Sequence, residues 1–283
     1  MARRFDSFID ALSAVRLRDR ACNQYSRYDG DTRANAMRRR NLRLYLRELD
    51  QIGPETLLVG EAPSHRGGRV TGIAFVSERV MLDGVSIRSA PGHILGAGSG
   101  YAKATASDQL TTEASATMVW GTIRDLDPLP MLWNAFPFHP FQRGNASSNR
   151  VPDAAELAIG QHFLCLLMRL FAFRQVIAIG NQAASSLSRL GIAHDTVRHP
   201  SMGGKAQFVA GMARLSQQNS SEETMADRES QIQQIKNGRA MHERIYKNRN
   251  QPSGPKPPLP TENAVKLSTV PSSAAEKFNG GRE

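Results

Sequence analysis

Apolar positions in this chain gather in short runs separated by polar, glycine-rich stretches. Thr56-Leu57-Leu58-Val59-Gly60, Pro130-Met131-Leu132-Trp133-Asn134-Ala135 and Gln175-Val176-Ile177-Ala178-Ile179-Gly180 are three such runs. Each is too short for a helix and apolar at successive positions, which predicts strands buried on both faces, as in a parallel sheet. Residues 153–173 repeat apolar residues at helical spacing, with Pro152 and Asp153 near the start. Asn181 predicts the cap of another helix running to about Leu190 and closed by Gly191. Thr196-Val197-Arg198 leads into His199, and a last helix is expected from Lys205 to about Leu215.

Ahead of the first strand, residues 5–17 and 33–50 also show helical spacing, separated by the turn signal Asp29-Gly30-Asp31. Leu42, Leu44, Tyr45, Leu46 and Leu49 give the second of these a partly apolar face among many arginines. Residues 61–74 and 92–100 read as loops. The second holds four glycines but matches neither phosphate-binding glycine pattern, so a surface loop is expected. The alternation of strands and helices predicts an α/β sandwich on a parallel sheet.

Polarity changes at the end of the chain. From Gln217 onward apolar residues are sparse, and Pro252-Ser253-Gly254-Pro255-Lys256-Pro257-Pro258 belongs to a stretch rich in Pro, Ser and Lys. Such a segment buries too little apolar surface to fold alone. Three parts are therefore expected: a basic helical N-terminal extension (1–52), a folded domain (53–216) and a polar, largely disordered tail (217–283).

The formal charge is +10, and the first fifty residues, with 12 arginines and 7 acids, carry half of it. That balance suits a polyanionic partner, although an arginine-rich proteome would produce it too. The two cysteines, Cys22 and Cys165, cannot supply four thiolates to a zinc or iron–sulfur site. Cys165 lies in an apolar run and reads as a buried, inert thiol. No run approaches the roughly 20 apolar residues of a membrane-spanning helix. The start, Met-Ala-Arg-Arg-Phe-Asp, lacks the apolar stretch of a secretory signal, so a cytoplasmic location is expected.

Ligands of open α/β sheets bind beyond the carboxyl ends of the strands. Three chemistry-bearing segments sit at such ends: Gly60-Glu61-Ala62-Pro63, Asn134-Ala135-Phe136-Pro137-Phe138-His139-Pro140, and His199-Pro200-Ser201. In this order and spacing, with Gly72-Ile73-Ala74-Phe75 shortly after the first, they resemble the uracil-DNA glycosylase superfamily over roughly residues 53–215. The resemblance implies a three-layer α/β/α sandwich with a short central, mostly parallel sheet. It also implies a partner, DNA containing uracil or another damaged base.

The resemblance assigns roles position by position. Asn134 would read the base edge, since one amide offers a donor and an acceptor where uracil offers their complements. Phe75 would stack on the extruded base, its alternative being an ordinary core residue. His199 would donate a hydrogen bond to the base O2 as negative charge builds there. Gly60 and Ala62 would border the base. Pro63, Ser64, His65, Pro200, Ser201, Gly203, Gly204 and Lys205 would face the DNA backbone, the glycine N–H groups and the helix N-terminus after Lys205 suiting phosphates. Met202, the bulky apolar residue of its loop, is the candidate wedge that fills the vacated stack.

The chain departs from the superfamily pattern at Ser64, where a Gly usually follows the Pro, and in two further respects. The best-known branch has an Asp that orients the attacking water where this chain has Ala62. In this respect Gly60-Glu61-Ala62-Pro63 is similar to the Gly-Glu-x-Pro branch, and Glu61 is the nearest carboxylate, poised to orient water or to contact the base. His65 is a second polar candidate. That branch usually carries an iron–sulfur cluster on four cysteines, which this chain lacks; no cofactor and no metal are expected. His139, between two prolines, reads as a residue that shapes the loop. The leading expectation is a monofunctional uracil-DNA glycosylase. A DNA-binding relative with weak or lost catalysis, and a nucleoside or nucleotide hydrolase, remain as alternatives.

Overall fold

A computed structural model describes residues 2–221. The polar tail expected from the sequence lies, beyond Ser221, outside the described residues. In chain order the helices and strands begin with α1 (Ala2–Ala14), β1 (Ala21–Cys22), α2 (Thr32–Ile52) and β2 (Thr56–Gly60). Next come α3 (Gly68–Thr71), α4 (Glu78–Asp83), β3 (Val85–Ser86), β4 (His93–Ile94) and α5 (Ala114–Ile123). β5 (Met131–Asn134), β6 (His139–Pro140), α6 (Ala154–Leu170) and β7 (Gln175–Ile179) follow, then α7 (Asn181–Arg189), β8 (Asp195–Val197) and α8 (Lys205–Ser221).

The fold is an α/β/α sandwich around a four-stranded sheet ordered β5-β2-β7-β8, parallel throughout. The strands are short and almost wholly buried, which is why their sequences show continuous apolar runs rather than alternation. Leu57, Leu58, Ile177 and Leu132 are 0–1% exposed, and burying each such side chain stabilises the fold by about 1.5–3 kcal/mol. β5 lies at the sheet edge, where a free N–H would invite further pairing. The hydroxyl of Tyr45 on α2 accepts from Leu132 N at 3.1 Å and satisfies that group.

From β2 the chain crosses to β5 on one side of it and returns to β7 on the other. The reversal opens a crevice beyond the carboxyl ends of β2 and β7, the usual ligand position in such sheets. The helices before residue 53 share the core with the sheet: Phe5, Phe8, Leu12, Leu42 and Leu46 are buried in the same cluster as the strands. α8 runs without a break past residue 216.

Several local expectations are corrected. The helix expected over 153–173 ends at Leu170, because Phe171 turns extended and stacks between Phe5 and Phe173. Asn181 is the first residue of α7 rather than its cap; Gly180 holds that position with no side-chain bond. Residues 92–100 are not a plain surface loop. His93 and Ile94 pair with β3, and Ile94 and Leu95 are fully buried. α5 was missed, although Ala116, Val119, Trp120 and Ile123 recur at helical spacing and face the core. Threonines and a glycine dilute its propensity.

Candidate functional site

Glu61, Asn134, Gly180 and His199 follow or end the four parallel strands, and all line one cleft of about 580 Å³. Register brings the first pair together: Gly60 lies opposite Asn134, and the pairing extends past the strands through Ala135 N to Gly60 O (2.8 Å) and Phe136 N to Glu61 O (3.0 Å). Asn134 is 3% exposed, and its amide has no hydrogen-bond partner among the described residues. Buried amides are normally bonded, so an amide that borders a cleft and lacks a partner is available to a ligand.

Phe75 also lines the cleft, 8% exposed. Its φ of 54° is unusual for an aromatic residue and must be held by its surroundings. Trp120 Nε1 donates to Phe75 O at 3.0 Å, and the Thr71 hydroxyl donates to Val76 O at 2.8 Å. α2 pins the preceding turn, where Asn41 bonds Thr71 O and Arg38 bonds Val70 O; Tyr25, ahead of α2, bonds Gly72 O. The Phe75 ring lies against Gly60: a Cβ there would sit 2.4 Å from Phe75 Cζ and 2.8 Å from Asn134 Oδ1. The ring is also 6.2 Å, centroid to centroid, from His199, with 36° between the planes.

His199 is set by its own loop. Ser201 N donates to His199 Nδ1 at 3.2 Å, and the Ser201 hydroxyl lies 2.7 Å from the same nitrogen. A backbone N–H only donates, so Nδ1 is unprotonated and the neutral ring carries its proton on Nε2. Burial, and then the neighbouring Arg198, hold the His199 pKa below the ordinary histidine value. The imidazole is thus a neutral donor, and Gly180 leaves it room: a Cβ at Gly180, whose φ is +88°, would lie 3.1 Å from His199 Cβ.

Glu61 is partly buried at the cleft wall, and desolvation raises its pKa above the usual carboxylate value. Ala62, Pro63, Ser64 and Ser201 join it in the lining. Pro63 is fixed by His139, whose Nδ1 donates to Pro63 O at 2.8 Å from a fully buried position. His65 is half-buried and bonds Asn149, which lines the cleft. In the following loop Pro200 is buried and Met202 is 92% exposed, with φ 52°. Gly203 follows Met202, and Lys205 opens α8 as an exposed residue. Gly204 is a correction: its N–H donates to Ser201 O at 3.0 Å, so it does not remain for a phosphate.

Other lining residues had no motif to mark them. Glu113 adds a second carboxylate: Ser115 Oγ donates to its Oε1 at 2.8 Å, and its buried Oε2 has no partner among the described residues. Arg150 uses all three guanidinium nitrogens internally. They bond both Glu156 carboxylate oxygens (2.7 and 2.8 Å) and the carbonyls of Phe141, Val151 and Arg20. Only tertiary structure brings these groups to the cleft, and the one sequence hint is the Asp153–Glu156 capping box beside Arg150. Among the described residues no group of three or more His, Cys, Asp and Glu is placed to hold a metal ion, and no helix is long and apolar enough to cross a membrane.

No family model matches the chain, and no curated protein matches it. Among solved structures, the chain is similar to the crystal structure of wild-type SMUG2 from Pedobacter heparinus, at 12% identity over 85% of this chain and 98% of that one, with a TM-score of 0.46.

Proposed function

We propose that the protein is a monofunctional DNA glycosylase that hydrolyses the N-glycosidic bond of uracil in DNA, opening base-excision repair. The observation that carries this reading is the convergence of three groups on one cleft: the unpartnered Asn134 amide, the Phe75 ring and the neutral His199 donor.

An extruded uracil stacks on Phe75 while Asn134 takes its O4 and N3–H. Cytosine offers the opposite pattern, and it is rejected as long as the amide keeps the orientation that uracil requires, because the mismatched groups are then left unpaired in a buried site. As the bond from the sugar carbon to the base nitrogen breaks, its electron pair moves into the base and collects at O2. His199 Nε2–H donates there; a preorganised donor of this kind is worth about 2.7–4 kcal/mol. Water attacks the sugar carbon, and the released base takes up a proton. Ala62 has no group to hold that water, so Glu61 does so as the carboxylate. No lysine lines the cleft among the described residues.

Base release tests the proposal. A uracil oligonucleotide, single-stranded or opposite G or A, is incubated with the protein and cut with alkali at abasic sites. Release by wild type, lost in His199→Ala and Asn134→Ala, is expected. Ala62 favours a second reading, a DNA-binding protein with weak catalysis: binding with no release on any deaminated base would replace the first reading by this one. Release from free deoxyuridine and none from DNA would instead make the protein a nucleoside hydrolase.

A further inference from the structure

The segment between α1 and β1 reads Val15-Arg16-Leu17-Arg18-Asp19-Arg20. Its first four residues alternate apolar and basic, and the chain is not helical there. Val15 and Leu17 pack on the core, while Arg16, Arg18 and Arg20 are exposed. Asn23 holds the segment at its start by donating to the carbonyls of Leu12 and Val15, both at 2.8 Å.

Its far end is tied to the cleft wall. The carbonyl of Arg20 accepts from Phe141 N and from Arg150 Nη2, both at 2.8 Å. β1 pairs with β6 just beside this point. Arg150 and Val151 line the cleft, so residues 141–151 bridge it to the arginine segment. Arg143 is exposed at the tip of the turn in that bridge, where Asn145 N donates to Gln142 O.

Arg16, Arg18, Arg20 and Arg143 have no carboxylate partner among the described residues, unlike Arg4, Arg27 and Arg43, which pair with Asp50, Asp10 and Asp6. Asp19 is the acid within the segment, leaving a strong positive excess. Arg150, although cationic, is neutralised by Glu156 and serves to anchor the segment. Arg16 lies 5.1 Å over the ring of Tyr28, itself 60% exposed, which adds an aromatic face beside the charges. Guanidinium groups along this non-helical segment, next to an exposed ring, suit a strand of phosphodiesters and bases.

We propose that Arg16, Arg18, Arg20 and Arg143 form a cationic ledge that carries the backbone of a nucleic-acid strand across the 141–151 bridge and into the cleft. The inference rests on the glycosylase reading for what happens in the cleft, but the ledge itself predicts binding and can be tested without catalysis. It makes the N-terminal segment part of the substrate surface.

The test measures binding of the full chain to a fluorescent oligonucleotide without uracil across a salt series. Each phosphate contact contributes about 0.7–0.9 to the slope of log K against log salt. Arg18→Gln/Arg20→Gln/Arg143→Gln should therefore lower the slope by roughly 2–3, at unchanged melting temperature. A control, Arg88→Gln/Arg124→Gln, removes charge near the start of β5, away from the cleft, where Arg88 N bonds Arg124 O. It should change the slope by less than one contact's worth. An equal loss per charge in the control, an unchanged slope in the ledge variant, or no binding by wild type overturns the proposal. A lower slope in the ledge variant alone supports it, even if wild type releases no base; in that case the glycosylase reading fails and the ledge stands. If base is released, kcat should be unchanged in the ledge variant while KM rises.

Discussion

The ring of Phe75 fills the space that a side chain at Gly60 would need: a Cβ at Gly60 would come within 2.4 Å of Phe75 Cζ. Both the ring and the end of β2 are fixed, the ring by Trp120 and the α2 contacts, the strand by pairing on both sides. Neither yields cheaply, and Asn134 stands 2.8 Å from the same point. Gly60→Ala should therefore displace the Phe75 ring or the Asn134 amide, the groups proposed to hold the base. Misplacement by about 1 Å costs on the order of 10²-fold in rate, which a kcat/KM measurement on uracil DNA would register. Combined with Phe75→Ala, the loss should be less than the product of the single losses, because the variants act through one contact.

In the proposed mechanism, His199→Ala removes the donor to the departing base. A loss of roughly 10²–10³ in kcat is expected, with KM changed much less. The pH dependence separates the neutral-donor mechanism from one using imidazolium. Because burial and Arg198 lower the His199 pKa, the neutral ring predominates from the ordinary histidine value near 6.5 upward. kcat should show no rise as pH falls through that range. An increase there would assign the chemistry to the cation. Nitrogen chemical shifts of the His199 ring should show Nδ1 unprotonated at neutral pH.

The sheet was legible because its strands are buried on both faces, which leaves Leu57-Leu58-Val59 and Val176-Ile177-Ala178-Ile179 as unbroken apolar runs. The glycine at each strand end could be read as a stop, but not what it makes room for. Gly60 and Gly180 are small because Phe75 and His199 come close, and those contacts join residues far apart in sequence. Arg150 shows the opposite failure. Its type suggested nothing special, yet it joins residue 20, the 141–151 bridge and α6 through five hydrogen bonds. α5 was hidden for a local reason, its threonines and glycine masking an apolar spacing that the core then satisfied.

Glu61 should trade stability for function. Desolvation raises its folded pKa above the unfolded value, so its ionisation opposes folding. The sign follows: the contribution favours folding below the unfolded carboxylate pKa and is lost as pH rises through the folded one. At neutral pH, Glu61→Gln removes a partly desolvated charge and should raise the melting temperature, with the difference from wild type vanishing in acid. If Glu61 holds the attacking water, the same variant should lose activity. In wild type, kcat should then fall on acidification at a higher pH than an ordinary carboxylate would give. A variant as active as wild type would remove Glu61 from the mechanism and leave Glu113 as the carboxylate to test.

Met202 is 92% exposed at a positive φ, in the loop whose Pro200 is buried and whose Ser201 orients His199. An apolar side chain held in water by a fixed loop has nothing to gain from the folded protein itself. In the proposed reading it inserts into a duplex, fills the gap left by an extruded nucleotide and offsets part of the few kcal/mol that extrusion costs. Single-stranded substrate has little stacking to replace. Met202→Ala should therefore reduce kcat/KM on duplex uracil DNA, by an order of magnitude for each ~1.4 kcal/mol of wedge energy lost, and leave single-stranded activity nearly unchanged. Restoring bulk with Met202→Leu should recover the duplex rate. Equal losses on both substrates would mean that Met202 acts through the His199 loop instead, and a reduced Ser201–His199 hydrogen bond, visible in the ring nitrogen shifts, should accompany that outcome.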